Sequence, residues 1–484
     1  MNKDEKKNYF YSMIYRMSIC ILPLIVTPYI ARVLGAENAG LYAFSSTVAC
    51  YFIMFGKLGL DNYGSRTIAS CRDDPEKRSI AFWGIFVIQM ITSIMSILIY
   101  VVLIVTVFKT NQEIFWLQLM YVGAILFDFS WFFYGLEKFG ITTVRSVISR
   151  LLIIIGVFAF VRSKQDLPVY TGIMAACFLF EQIQLFPFLV GKVKRIKLKK
   201  ENIICHIIPN IKLFVPLLAL SIYNWMDKIM LGAILKNTAV VAYYTYAENI
   251  INLPKGILSA LDTVMLPRIS NLAAHRHKEE GIRKMLNSIR INSFISCALA
   301  FGIAGLAPNF IPWFLGPEYR PTIVMTMQLS AAMIPMSITS VVQTQYLIPF
   351  KKENIYIKSV TLGAIINFLL NAVLIPIYGA VGAVIGTISA EVAVCVYQIN
   401  RIREVISFKD LAIKLLPFLI CGIFEFSVIF ALRSLNISVL LLLIVQALAG
   451  GCIYRKLHNL FNLHKKGISK SEGNNRKNIA EISW

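Results

Sequence analysis

The feature that most constrains this chain is a long series of apolar runs, each about as long as a lipid bilayer is thick. Runs of roughly 17–25 apolar residues recur from end to end, and a helix of that length crosses the hydrocarbon core of a membrane. Of the 484 residues, 57% are hydrophobic and only 15% are charged. This pattern is not that of a soluble protein and predicts an all-α polytopic membrane protein.

Fourteen transmembrane helices are predicted from these runs. Most connections are short, and the opening MNKDEKKNYF leads directly into a full-length span, so we expect no cleavable signal peptide. The predicted spans cover residues 9–31, 41–60, 81–108, 114–136, 147–162, 170–190, 213–235, 240–262, 291–315, 322–347, 359–378, 383–400, 413–434 and 438–454.

The basic residues predict the orientation of these spans. If the N-terminus is cytoplasmic, 37 of the 48 Lys and Arg lie in or beside the inside segments, seven lie outside and four lie within spans. Cytoplasmic loops carry such an excess, so we expect both termini in the cytoplasm. The net charge of +22 then reflects topology and contact with membrane lipids, and we expect no nucleic-acid partner.

Weak internal similarity indicates two parallel six-helix lobes. GLDNYGSRTI at 59–68 follows span 2, and ALDTVMLPRI at 260–269 follows span 8. Six spans is an even number, which keeps both lobes in the same orientation around a central cavity. The predicted parts are an N-lobe (1–191), a cytoplasmic basic linker (192–212), a C-lobe (213–400), two C-terminal helices (401–456) and a cytoplasmic tail (457–484).

The sequence offers no catalytic or metal-binding motif. It has no P-loop, no GxSxG and no HExxH, and its nine cysteines are scattered without a CxxC pair. His275 and His277 stand together in a basic loop without companion ligands. We therefore expect neither an enzyme nor a cofactor or metal.

Four cations lie within the predicted spans. They are Arg16, Lys57, Lys228 and Lys255. All four fall in the first two helices of a predicted lobe, the placement expected if they line one cavity. A basic cavity suits an anionic substrate such as a phosphate or pyrophosphate. Lys57 and Lys255 are near span ends. For these two residues, an equal alternative to lining the cavity is that the side chain reaches toward the membrane interface or is paired structurally.

Acidic residues also occur at membrane depth, where a charge is costly and needs a partner or a wet cavity. Each could hold a coupling H⁺ or Na⁺ or could neutralise a neighbouring cation, and structural pairing is the better interpretation for any one of them. The candidates for ion coupling or charge tuning are Asp128, Glu181, Asp227, Glu248 and Glu391. Glu425 is a further acid, in span 13, and Asp61 and Asp262 lie at the ends of spans 2 and 8.

Six stretches in order resemble the polysaccharide flippases of the MATE-like (MOP) superfamily, and most of all the O-antigen and capsule repeat-unit transporters (Wzx-like, polysaccharide biosynthesis protein family). The resemblance covers nearly the whole chain. The stretches are YIARVLGAENAGLYAF at 29–44, FGKLGLDNYGSRTIA at 55–69, WFFYGLEKFG at 131–140, FVPLLALSIYNWMDKIMLG at 214–232, TVMLPRIS at 263–270 and LIPIYGAVGAVIGTISAE at 374–391.

The resemblance implies a function. It implies 14 helices and movement of an undecaprenyl-pyrophosphate-linked oligosaccharide across the bacterial cytoplasmic membrane by alternating access. Family cavity cations are thought to hold the pyrophosphate-sugar head, a role carried to Arg16 and Lys228 first and to Lys57 and Lys255 second. Candidate protein partners are a polymerase and other polysaccharide-assembly proteins.

Two other functions stay open at this point. A related transporter, either a lipid II flippase or a drug/cation antiporter, would share the fold. A drug/cation antiporter should have a more acidic or aromatic cavity, whereas a lipid II flippase shares the cationic one. A membrane polymerase or ligase is the third alternative, but it should carry a large external loop, and no predicted external loop exceeds about ten residues.

Overall fold

A computed structural model describes the backbone of residues 3–275 and 277–480 and the side chains of residues 11, 18, 22–256, 258, 262, 265–275 and 277–460. Within these residues the secondary structure is entirely helical. Two compact units divide the chain, Met1–Thr245 and Tyr246–Trp484.

Seventeen α-helices make up the described fold. Three-residue or four-residue 3₁₀ turns occur at Ala124–Phe127, Lys164–Asp166, Pro317–Tyr319 and Leu432–Ser434, and a π-helical turn at Gln343–Leu347. The helices are α1 (Lys3–Lys57), α2 (Leu60–Ser70), α3 (Pro75–Thr106), α4 (Gln112–Gly123), α5 (Ser130–Gly135), α6 (Phe139–Phe160), α7 (Leu167–Ile183), α8 (Phe186–Leu189), α9 (Glu201–Leu235), α10 (Thr238–Ala274), α11 (Lys278–Phe314), α12 (Arg320–Ser330), α13 (Met333–Val342), α14 (Glu353–Tyr378), α15 (Ala380–Arg401), α16 (Phe408–Ala431) and α17 (Val439–Ala480).

The prediction of an all-α polytopic membrane protein is confirmed. Eleven helices built from described residues are long and apolar enough to cross a bilayer, and the bent pair Pro317–Ser330 and Met333–Leu347 makes a twelfth. Large apolar side chains such as Leu98, Ile155 and Ile377 are exposed on the outer faces of these helices. Exposed apolar surface of this extent suits lipid contact rather than water. Predicted spans 1 and 8 include residues outside the described side chains.

Helix α1 is two helical segments joined at a glycine. Gly35 has φ 74° and ψ 173°, a backbone conformation that side chains rarely adopt, and it divides the helix between predicted spans 1 and 2. Five residues later, a Cβ on Gly40 would lie 1.7 Å from the carbonyl oxygen of Thr238. Glycine at this point therefore permits backbone contact between α1 and the start of α10.

Helix α9 packs along the first unit. It begins at Glu201, so the latter half of the predicted 192–212 linker is helical. Two glycines permit its close approach: a Cβ on Gly59 would lie 2.6 Å from the oxygen of Asn210, and one on Gly84 would lie 2.3 Å from that of Asn202. Tyr51 donates a 3.1 Å hydrogen bond to the Ser221 carbonyl oxygen. By contacts, α9 thus belongs with α1, α2 and α3.

The second unit is built around α11, which packs against α12, α13, α16 and α17. Its other close pair is α14 and α15, joined at Gly379. A Cβ on Gly382 would lie 2.4 Å from the Leu374 oxygen, and one on Gly386 would lie 2.2 Å from Oδ1 of Asn371. The small-residue spacing in YGAVGAVIG therefore serves close helix packing, as such spacing does in membranes.

Candidate functional site

Lys57 ends α1 within a group of buried polar side chains. Its Nζ lies 2.7 Å from Oδ1 of Asp61, one helical turn further along the chain, and 2.7 Å from Oδ2 of Asp128. The Asp61 side chain is half exposed, whereas that of Asp128 is 8% exposed. We call the set Lys57, Asp61, Asp128, Ser130 and Arg145 the Lys57 cluster.

Asp128 lies where the fourth predicted span is broken. Helix α4 ends at Gly123, a 3₁₀ turn follows, and Asp128 itself has an extended backbone (φ −82°, ψ 98°) before α5 begins. Its Oδ1 accepts hydrogen bonds from the Ser130 amide at 2.9 Å and from the Ser130 hydroxyl. The break therefore directs the Asp128 carboxylate into the helix bundle, where Ser130 supplies hydrogen-bond donors for it.

The break is held by neighbouring polar side chains. Nε2 of Gln89 in α3 donates to the carbonyl oxygens of Ile125 at 2.7 Å and Asp128 at 3.0 Å. Its Oε1 accepts a 2.9 Å hydrogen bond from Nε1 of Trp131. Because buried backbone groups need partners, Gln89 replaces the helical hydrogen bonds that the break removes.

Arg145 in α6 is a buried cation that the sequence analysis did not single out. It donates to Ser130 Oγ at 2.6 Å, to the Glu181 carbonyl oxygen at 2.7 Å and to Gln182 Oε1 at 2.9 Å. The predicted span began at residue 147, which left Arg145 in a loop. Helix α6 begins at Phe139 and carries it into the membrane-spanning segment. The continuous pattern of apolar and small residues before 147 was the available signal.

Glu181, a predicted coupling or tuning acid, lies beside this cluster. Its carboxylate accepts a hydrogen bond from the Ser146 hydroxyl, and its backbone oxygen accepts one from Arg145. The structure thus brings Lys57, Asp128 and Glu181 into one connected polar region of the first unit. Asp128 and Glu181 each accept a hydrogen bond from a serine hydroxyl.

Asp227 and Lys228 lie side by side in α9. Asp227 is buried, and its Oδ2 accepts a hydrogen bond from the hydroxyl of Tyr244. Lys228 is half-buried. Neighbouring residues on a helix point about 100° apart, so the two side chains occupy different faces.

The remaining predicted residues lie in the second unit or outside the described residues. Lys255 and Glu248 are half-buried on α10, and Glu391 is buried on α15. Arg16 lies outside the residues whose side chains the structure describes. Asp262, which the predicted repeat matches with Asp61, accepts hydrogen bonds from Ser340 at 2.5 Å and from Gln345 at 3.1 Å.

No metal centre is formed by the described side chains, which contain no group of three or more His, Cys, Asp and Glu able to hold an ion. The chemistry of the sites is that of charge and hydrogen bonding. Cations at depth can bind an anionic group, and paired carboxylates can set how strongly they do so.

Comparison with known proteins identifies the family of the chain and structures that share its fold. The family described as polysaccharide biosynthesis protein matches residues 6–273. A protein of Escherichia coli (strain K12) named as an O-antigen transporter is 25% identical over 405 residues, which cover 82% of this chain and 97% of that protein.

Two solved structures share the fold. The lipid II flippase MurJ in an inward closed conformation has a TM-score of 0.76 and 15% identity, over 94% of this chain and 98% of that one. An inward-facing multidrug resistance MATE family transporter of the MOP superfamily has a TM-score of 0.62 and 15% identity, over 81% of this chain and 98% of that one.

Proposed function

Because the chain belongs to the polysaccharide biosynthesis protein family, we propose that it is a flippase that carries lipid-linked oligosaccharides across a membrane. The family match over residues 6–273 is the observation that carries this proposal, and the predicted resemblance to MOP-superfamily polysaccharide flippases is confirmed. The substrate class is the anionic lipid-linked repeat unit of a capsule, O-antigen or exopolysaccharide, carried by undecaprenyl pyrophosphate.

We place the protein in the bacterial cytoplasmic membrane with both termini in the cytoplasm. Support comes from the excess of Lys and Arg on one side of the predicted spans. The full proposal has fourteen spans, two six-helix lobes with a central cavity and two further helices. A cysteine placed in residues 191–200 should react with a membrane-impermeant reagent only after the cells are opened. Labelling from outside intact cells would contradict this orientation.

The repeat-unit head is proposed to bind the deep cations Arg16 and Lys228. Both are in the first helix of a proposed lobe, and a pyrophosphate needs cationic partners once it leaves water. Lys57 and Lys255 are secondary candidates. Lys57 already contacts two carboxylates, so an anionic head would have to compete with Asp61 and Asp128 for it.

The candidate acidic residues fall into two groups according to their surroundings. For Asp128 and Glu181, contacts with Lys57 and Ser146 support charge tuning. Asp227 next to Lys228, Glu248 and Glu391 are the proposed positions for a coupling H⁺ or Na⁺. Alternating access then requires that ion binding and head binding favour different conformations.

The test is export of the polysaccharide in a strain that depends on this chain. Arg16→Ala and Lys228→Ala should each block export and cause lipid-linked repeat units to accumulate, at unchanged protein level. Lys109→Ala, which removes an exposed cation just after α3, is the matched control and should export normally. Normal export in both Arg16→Ala and Lys228→Ala would contradict the cationic site. A loss of lipid II transport instead of export would favour the lipid II alternative.

A further inference from the structure

A groove of about 770 Å³ opens on the first unit beside the start of α6. Its lining comes from Tyr11 of α1, from residues between 136 and 148 that include Lys138 and Arg145, and from Gln184 and Phe188. We call it the α6 groove. Lys57, Lys228 and Lys255 do not line it, and Arg16 lies outside the residues whose side chains the structure describes.

The wall of the α6 groove is apolar and faces outward. Val144, Ile148 and Phe188 line it and are each between 41% and 51% exposed. Ile148 follows Lys138 by ten residues, which places it about 15 Å further along α6 at 1.5 Å per residue. That distance equals about half of the hydrocarbon thickness of a bilayer. The groove therefore extends from Lys138 to Ile148 over about the depth of one lipid leaflet.

One end of the groove is basic. Lys138 is exposed there. The neighbouring carboxylate, Glu137, is already engaged, because its Oε1 lies 2.8 Å from a guanidinium nitrogen of Arg72. The groove entrance therefore carries a net positive charge.

Arg145 adds a second, deeper cation, which is only 6% exposed. Its described acceptors, Ser130 Oγ, Gln182 Oε1 and the Glu181 backbone oxygen, are all uncharged. Its Nε is buried and, among the described residues, has no hydrogen-bond partner. A buried guanidinium nitrogen without an acceptor is costly, so this position favours an anionic oxygen.

Like charges crowd the same end. Burial, together with the nearby cations Lys138 and Arg78, lowers the pKa of Lys192. Lys192 also lies over the ring of Phe133, 4.9 Å from its centroid. A bound anion would relieve this repulsion, because it would sit among cations that now face one another.

We propose that the α6 groove binds an anionic glycerophospholipid of the surrounding bilayer. The phosphate lies at Lys138 and Arg145, and one acyl chain follows the wall at Val144 and Ile148. The depth of one leaflet matches an acyl chain, whereas a polyprenyl carrier chain is far longer. This lipid site does not depend on the transport function proposed above.

The test uses the purified full chain in micelles that contain equal amounts of phosphatidylglycerol and phosphatidylcholine, followed by native mass spectrometry. The wild-type chain should retain phosphatidylglycerol at least fivefold over phosphatidylcholine. Lys138→Glu should remove that preference. Lys109→Glu makes the same charge change at the far end of α3 and should leave retention unchanged.

A second variant separates the groove from general electrostatic attraction. Ile148→Trp keeps every charge but fills the wall, and it should lower phosphatidylglycerol retention by a similar factor. The thermal midpoint of each variant checks that it is folded. Wild-type retention in both Lys138→Glu and Ile148→Trp, or equal retention of the two phospholipids by the wild type, would overturn the proposal. So would displacement of phosphatidylglycerol by an equimolar polyprenyl monophosphate, which would assign the groove to a carrier lipid.

Discussion

The ammonium group of Lys57 lies 2.7 Å from a carboxylate oxygen of Asp128, a residue 71 positions later in the chain. A second carboxylate, that of Asp61, lies at the same distance from the nitrogen. The pair links the end of α1 to the break between α4 and α5. Two carboxylates balance the cation, so its position is fixed by structure before any substrate arrives.

Removing Asp128 should destabilise the protein strongly. Asp128→Ala leaves Lys57 with only the half-exposed Asp61 as a partner and Ser130 with only Arg145, and breaking a buried pair typically costs about 3–5 kcal/mol. The double variant Lys57→Ala with Asp128→Ala should recover part of that loss, because no unpaired charge remains. The measurement is thermal unfolding of the full chain in detergent.

The control for this cycle is Asp73→Ala. The Asp73 side chain is 98% exposed, so its removal should leave the unfolding midpoint nearly unchanged. Additive effects of Lys57→Ala and Asp128→Ala would show that the two residues do not interact in the folded protein.

The contact of Lys57 with Asp61 could be predicted from the sequence, whereas its contact with Asp128 could not. Lys57 and Asp61 are only four residues apart, which keeps them close although α1 ends at Lys57 and Asp61 lies in α2. The partnership with Asp128 depends on a break in the fourth span, and the apolar run of residues 114–136 gave no sign of it. Glycine spacing predicted close helix contacts, yet which backbone each glycine meets follows from tertiary packing.

A parallel break supports the predicted repeat. In the second unit, Asp262 contacts Gln345 in the π-helical turn at Gln343–Leu347, just after α13. In the first unit, Asp128 in its own helix break contacts Lys57. Sequence matching found Asp61 and Asp262 as counterparts, but their partners differ in charge. The two contacts therefore differ in chemistry, and the repeat itself stays a prediction.

Arg145 should require its guanidinium shape and not only its charge. Arg145→Lys keeps a cation but cannot reach Ser130, Gln182 and the Glu181 carbonyl together. Loss of these hydrogen bonds should cost about 1–3 kcal/mol. Arg66→Lys in α2 is the matched control, because the Arg66 side chain is exposed. Equal unfolding midpoints for the two variants would contradict the assigned role.

Gly382 should not tolerate a methyl group. An added Cβ would lie 2.4 Å from the oxygen and 2.5 Å from the carbonyl carbon of Leu374, and backbone atoms cannot turn aside as a side chain can. Gly382→Ala should therefore lower stability by about 1–3 kcal/mol through overpacking of α14 against α15.

The matched control is Gly451→Ala in α17. An added Cβ there meets nothing within 4 Å, and alanine favours a helix over glycine by about 0.5–1 kcal/mol. We expect a small rise in the unfolding midpoint for Gly451→Ala and a clear fall for Gly382→Ala. The reverse order would show that α14 and α15 are further apart than described.

Glu425 in α16 should be dispensable for folding. Its side chain is 5% exposed, and Oε2 is buried without a hydrogen-bond donor among the described residues. Gly302 of α11 and Gly450 of α17 both approach it, since their added Cβ atoms would lie 3.2 Å and 3.3 Å from its side chain. Burying a polar atom without a partner costs free energy, so Glu425→Leu should stabilise the protein by about 1–3 kcal/mol.

The neutral isostere Glu425→Gln separates shape from charge in the same measurement. It should unfold at a midpoint close to that of the wild-type chain, because the amide keeps the volume and leaves polar atoms buried at the same place. If Glu425→Leu lowered the midpoint while Glu425→Gln did not, the carboxyl group would have a polar partner in the membrane. Raised stability of Glu425→Leu together with lost polysaccharide export would show that this acid is kept for transport at the expense of stability.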